Sequence, residues 1–179
     1  MNFLPAMPDP LHPALVHFPV VLILLGAAAA AVTVVWRKAQ LPVYAALLLT
    51  LGALGAWVAV ATGKADGGLV ETSGPAMAAL LDAHETWAER TRTAATLAAI
   101  LAIGSLALVR QVPRAATVAA LVTALAAAAA AWSVYETGHR GGALVYHHGA
   151  GVNINAATPA AGMPVSEGAH EQHLSADRD

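Results

Sequence analysis

The sequence predicts an all-α fold: a transmembrane four-helix bundle with both termini on the outer, periplasmic side and a short fold-back segment after the fourth helix. Three observations predict it. Of 179 residues, 58% are hydrophobic and only 11% charged, where soluble domains carry roughly a quarter charged. Four apolar runs without a formal charge occupy 14–36, 41–62, 93–109 and 115–135, and a membrane span needs about 20 such residues. The basic residues Arg37, Lys38, Arg110 and Arg114 fall in two short acid-free loops, while all eleven acidic residues fall on the opposite side of the spans. Short-loop Lys and Arg stay cytoplasmic, which puts both termini outside. In a bacterium that means a multi-pass protein of the inner membrane, with the lipid bilayer as its first partner.

The first run is a permanent helix and not a signal peptide, because the first basic residue is Arg37, after the run. Pro13 suits a first helical position. Pro19 lacks the N–H that would bond Leu15, so the opening turns are expected to be loosened or kinked. The second run carries Gly52 and Gly55, which with Gly104 offer close-packing surfaces. Residues 63–77 are glycine-rich and read as a flexible surface loop. Residues 78–92 are mixed in polarity and extend the third helix about four turns beyond the membrane. The fourth run is mostly alanine and relies on close neighbours.

Beyond the fourth run, the glycines of GHRGGALVYHHGAGV end the helix, and 143–146 read as an extended segment folding back over the outer face. Residues 153–179 lack periodicity and read as a disordered tail, leaving residues 1–152 as the transmembrane domain. Phe18, Trp57, Trp132 and Tyr135 fall near the outer ends of the spans, Trp36 and Tyr44 near the inner ends, as interfacial belts do. The two halves each hold a helical pair joined by a short basic loop, a weak two-fold pattern without a sequence match between the halves.

The histidines carry the chemistry. There are eight: His12, His17, His84, His139, His147, His148, His170 and His173. All lie at or beyond the outer surface. His17 sits inside an apolar run, where an unpaired polar ring is costly and an ionisable residue marks a functional candidate. His12 and His17 are about 140° apart on a regular helix, so they do not serve one metal from one face. His84 is the expected partner of His17. His148 reaches the same rim, and His139 and His147 lie where no rigid element aims them. His170 and His173 belong to the tail.

Two histidines on facing helices make a cradle for haem b, and imidazole equally suits Cu or Zn. Cys-ligated zinc, Fe–S clusters and thioether-linked haem are excluded, since there is no cysteine. The net charge of −2 offers no basic face to nucleic acid. No nucleophile elbow, P-loop or HExxH supports hydrolysis or phosphoryl transfer.

HPALVHFPV at 12–20, the lone His84 before the third span and GGALVYHHGAGV at 141–152 resemble the bacterial membrane family called domain of unknown function 2231. The resemblance covers roughly residues 11–152. It implies four helices in the membrane and no settled activity, and it implies that His12, His17, His84 and His148 matter. His139 and His147 match no position of the family pattern, and the chain has Ala143 where the family often has an acid.

The function expected from these residues is haem-b binding near the periplasmic face, in electron transfer with a periplasmic redox partner. His17 and His84 are the expected axial pair, with His12 and His148 forming a second site or holding the propionates. Two alternatives use the same residues: a Cu- or Zn-binding membrane protein, and a non-catalytic subunit of a larger respiratory or photosynthetic complex.

Overall fold

A computed structural model describes residues 11–36, 40–68, 74–112 and 115–150. The basic residues Arg37, Lys38 and Arg114 and the 153–179 tail, with His170 and His173, lie outside the described residues. Those residues form α1 (His12–Leu15), α2 (His17–Val35), α3 (Leu41–Gly67), α4 (Pro75–Gln111) and α5 (Ala116–His148), and none of them forms a strand. Four helical stretches, with α1 and α2 counted together, are long and apolar enough to cross a membrane.

Pro19 acts as its chemistry dictates. It offers no N–H to the Leu15 carbonyl, and the helix is interrupted at Val16, between α1 and α2. The proline ring itself is buried against Gly55, where a Cβ would lie 3.2 Å from it.

Sequential helices pack as neighbours: α2 on α3, α3 on α4, α4 on α5 and α5 back on α2. This is a closed square, with α2 and α4 on one diagonal and α3 and α5 on the other. The core along its axis is alanine. Ala95, Ala98, Ala102, Ala127 and Ala130 are buried, and Ile23 and Leu49 are the only large side chains fully enclosed among the described residues. The large apolar side chains point outward instead: Phe18, Leu54, Ile100 and Leu125 are each about 60% exposed or more. That is the pattern of a bundle whose solvent is lipid, where small residues let backbones approach and bulk faces the acyl chains.

The tightest approach joins α2 to α3. A Cβ at Gly52 would lie 2.8 Å from Ile23 Cγ1 and 3.1 Å from its backbone nitrogen, and one at Gly26 would meet Leu49 at 2.9 Å. Gly52→Leu is expected to force the two helices apart. Overpacking of this kind costs about 1–3 kcal/mol, to be read as a lowered Tm in detergent, with Gly104→Leu as the control. Nothing lies within 4 Å of a Cβ at Gly104.

The third helix extends beyond its apolar run as the sequence predicts. α4 is one continuous helix of 37 residues, about 55 Å long at 1.5 Å per residue, against a hydrocarbon layer of about 30 Å. The neighbouring elements depart from expectation. Residues 63–67, expected to be loop, are the last turns of α3. The fourth helix does not end at Gly138, and 143–146 do not fold back as an extended strand. α5 runs to His148. Among the described residues only Gly74 and Gly149 have positive φ, 127° and 65°. Gly138, Gly141 and Gly142 therefore keep helical backbone, supported by packing of α5 along α4. Gly149 is where the left-handed turn ends α5, its N–H bonding the Val145 carbonyl and that of Ala150 bonding Leu144.

These lengths leave α4 and α5 projecting together past the apolar core at one end. The start of α1 and the end of α3 sit at the same end, and the candidate site lies between them.

Candidate functional site

His12 opens α1 and is held in three ways. Its backbone N–H donates to Asp66 Oδ2 at 2.8 Å, a carboxylate where a helix start favours negative charge. Its ring Nδ1 donates to the Ala59 carbonyl at 2.9 Å, with Thr62 Oγ1 at 3.4 Å. The Ala59 carbonyl is reachable because the residue one turn on is glycine. A Cβ at Gly63 would stand 2.9 Å from His12 Cε1 and 3.0 Å from Nδ1.

His84 repeats the device in the other half of the molecule. Its Nδ1 donates to the Thr137 carbonyl at 3.0 Å. The residue one turn on is again glycine, and a Cβ at Gly141 would stand 3.0 Å from His84 Cε1 and 3.3 Å from Nδ1. In each half the first helix supplies an imidazole, and the second supplies a carbonyl at position i and a glycine at i+4. The weak two-fold pattern of the sequence thus becomes a pair of equivalent seats.

The two rings meet across the square. Their centroids are 6.4 Å apart and their planes are nearly perpendicular, at 85°. A carbonyl can only accept, so both Nδ1 atoms carry a proton, and in its neutral form each ring has its lone pair on Nε2. Fixing a ring by its other nitrogen is how proteins orient metal-ligating histidine. Below the pair, the Thr91 and Thr137 hydroxyls lie 2.9 Å apart and join α4 to α5. Around it run charged groups: Lys64 pairs with Glu89 at 2.5 Å between α3 and α4, and Arg140 pairs with Glu136. The Arg90 and Arg140 guanidinium carbons lie 4.7 and 4.9 Å from the centre of the Trp87 ring.

A family model described as predicted membrane protein (DUF2231) matches residues 8–154. The chain belongs to this family. Comparison with curated proteins and with solved structures finds no match. The matched stretch contains both seats of this DUF2231 protein, from His12 to Gly141.

Of the four histidines singled out in the sequence, the structure brings together His12 and His84. His17 is exposed beside Phe18 and does not meet His84. The inward stripe of α2 runs through Pro19, Ile23, Gly26 and Ala30; seven residues back from Pro19 it reaches His12, with His17 turned away. His148 is also exposed, and it lies seven residues, about 10 Å of helix rise, past the glycine that seats His84. His147 is exposed, and His139 stacks on Tyr135 with centroids 6.1 Å apart. Among the described residues no group of three or more His, Cys, Asp or Glu is placed to hold a metal ion.

Sequence reasoning missed Asp66, Gly63 and Gly141. No shared motif marks the two seats: Ala59 with Gly63 and Thr137 with Gly141 have in common only the glycine four residues on. Asp66→Ala removes the carboxylate at the start of α1. Loss of such a partner costs about 0.5–2 kcal/mol. The expected result is a modestly lower Tm in detergent, Asp66→Asn recovering part of it.

Proposed function

We propose that this membrane protein binds haem b through His12 and His84 and passes electrons near one face of the bilayer. The observation that carries the reading is the pair of imidazoles on diagonal helices, each with its Nδ1 proton held by a backbone carbonyl and its Nε2 left as a donor. Two imidazole nitrogens about 2.0–2.1 Å from one shared metal, on opposite sides of it, would put their ring centres roughly 6 Å apart, close to the 6.4 Å between these rings. The donor set also favours haem over bare zinc. A porphyrin supplies four of the ligands of its iron and needs only an axial pair from the protein, whereas zinc sites draw three or four ligands from the chain. Sites of this kind are built in bundle cores from side chains on facing helices. Bound there, the iron would take up and release one electron.

The short-loop basic residues Arg37, Lys38, Arg110 and Arg114 support an orientation with this end at the periplasmic face of a bacterial inner membrane, where a soluble redox partner would have access. Bare copper is the second reading. It is favoured by how closely the two seated rings already approach, since a single ion needs no slot for a macrocycle.

The test is a pyridine haemochrome assay with parallel metal analysis on protein purified from haem-replete cells in mild detergent. Haem b at near-equal stoichiometry is the expected result. Copper without haem would move the assignment to the second reading. Neither would remove the cofactor and leave a structural role in a larger membrane complex.

A further inference from the structure

The opposite end of the bundle holds a second polar feature that the histidine site does not use. A cavity of about 10 Å³ lies between the helices there, lined by Thr33 from α2, Ser105 from α4 and Thr123 from α5, with Pro42 and Ala45 from α3 closing the square. Ser105 and Thr123 are only 8% and 5% exposed. Thr33 Oγ1 donates to the Ala29 carbonyl at 2.8 Å and Ser105 Oγ to the Ala102 carbonyl at 3.1 Å. Their protons are committed, so towards the cavity both present lone pairs. Thr123 Oγ1 is buried without a hydrogen-bond partner among the described residues. In a span there is no solvent to satisfy it, and a hydroxyl left unpaired in an apolar interior is strongly disfavoured.

We infer that this cavity is a binding site for a single water molecule. The fit is one of chemistry as well as size. Two acceptors and one free hydroxyl suit a guest that donates twice and accepts once, and a water does both. Three bonds are what a buried water ordinarily makes, and about 10–15 Å³ is the space one needs. A hydrophobic guest would leave all three oxygens unanswered. The water ties α2, α4 and α5 together at a level where the surrounding core is largely alanine.

The test is water-selective NMR on the full chain in detergent micelles. Wild type and Thr123→Ser are expected to show cross-peaks from a long-lived water to protons of residues 33, 105 and 123. Thr123→Val keeps the shape and removes the hydroxyl, and is expected to lose those cross-peaks while the rest of the amide spectrum is kept. Absence of the peaks in wild type, or their persistence in Thr123→Val, would overturn the assignment. Shifts at these residues that appear only on adding sodium or potassium would overturn it too, in favour of a cation.

Discussion

His12→Ala and His84→Ala are each expected to abolish haem binding, with haem per protein falling by about 100-fold or more, at or above the top of the roughly 10–100-fold range typical of losing an outer-shell partner. His17→Ala and His148→Ala are expected to leave it within a factor of two or so of wild type. The asymmetry follows from geometry. His12 and His84 come from diagonal helices and meet with their centroids 6.4 Å apart. His17 and His148 are exposed, one on the outward side of α2 and one at the end of α5. Haemochrome spectra of the four variants, each checked for a monodisperse peak in detergent, decide it. Loss of haem in His17→Ala with retention in His12→Ala would reverse the assignment.

Gly141→Leu is expected to be nearly as damaging to the site while keeping every imidazole. A Cβ at Gly141 would already be tight at 3.0 Å from His84 Cε1, and the rest of the leucine side chain is expected to push the ring off the Thr137 carbonyl that fixes its tautomer and aim. Loss of an orienting partner of this kind weakens metal binding about 10–100-fold, and the displaced ring adds to that. Gly63→Leu acts on His12 in the same way. Gly138→Leu is the control, because nothing lies within 4 Å of a Cβ there. The measurement is haem affinity by titration of the apoprotein, with helix content by circular dichroism to confirm that the bundle is intact. Equal affinity in Gly141→Leu and Gly138→Leu would mean that the glycine seat has no part in binding.

Why hydropathy found the helices but chose a different histidine pair is a matter of what a membrane does to sequence signals. In a soluble bundle the buried stripe is apolar and the rest polar, so periodicity identifies the inward face. In α2 both faces are apolar. Leu24 and Leu25 point to lipid while Gly26 and Ala30 point inward. The inward face is marked by size, not polarity, and a hydrophobic run reads the same on every side. Following the small residues back from Ala30 through Gly26 and Pro19 leads to His12. His17 draws attention by lying deeper in the apolar run, yet it is turned away from the axis.

The glycines misled for a related reason. Gly138, Gly141 and Gly142 read as helix breakers because glycine weakens an isolated helix by about 1 kcal/mol. Here α5 is braced along α4 by long-range packing, and the missing side chain at Gly141 is what admits the His84 ring. The stop comes at Gly149, where the backbone turns left-handed. The extension of α4 was readable because 78–92 keep helical composition without a breaker, and Asp66 was not, because its partner is a backbone N–H 54 residues away.

The measurement that bears most directly on the site is X-ray absorption at the edge of the bound metal, on wild-type protein purified from its own membranes. Two histidine imidazoles on one metal, with nitrogens at about 2.0–2.1 Å, is the expected result, and the signature is expected to vanish when His12 and His84 are both replaced by alanine. Protein that carries no metal, or an imidazole signature that survives the double replacement, would contradict the assignment of His12 and His84 as the ligand pair.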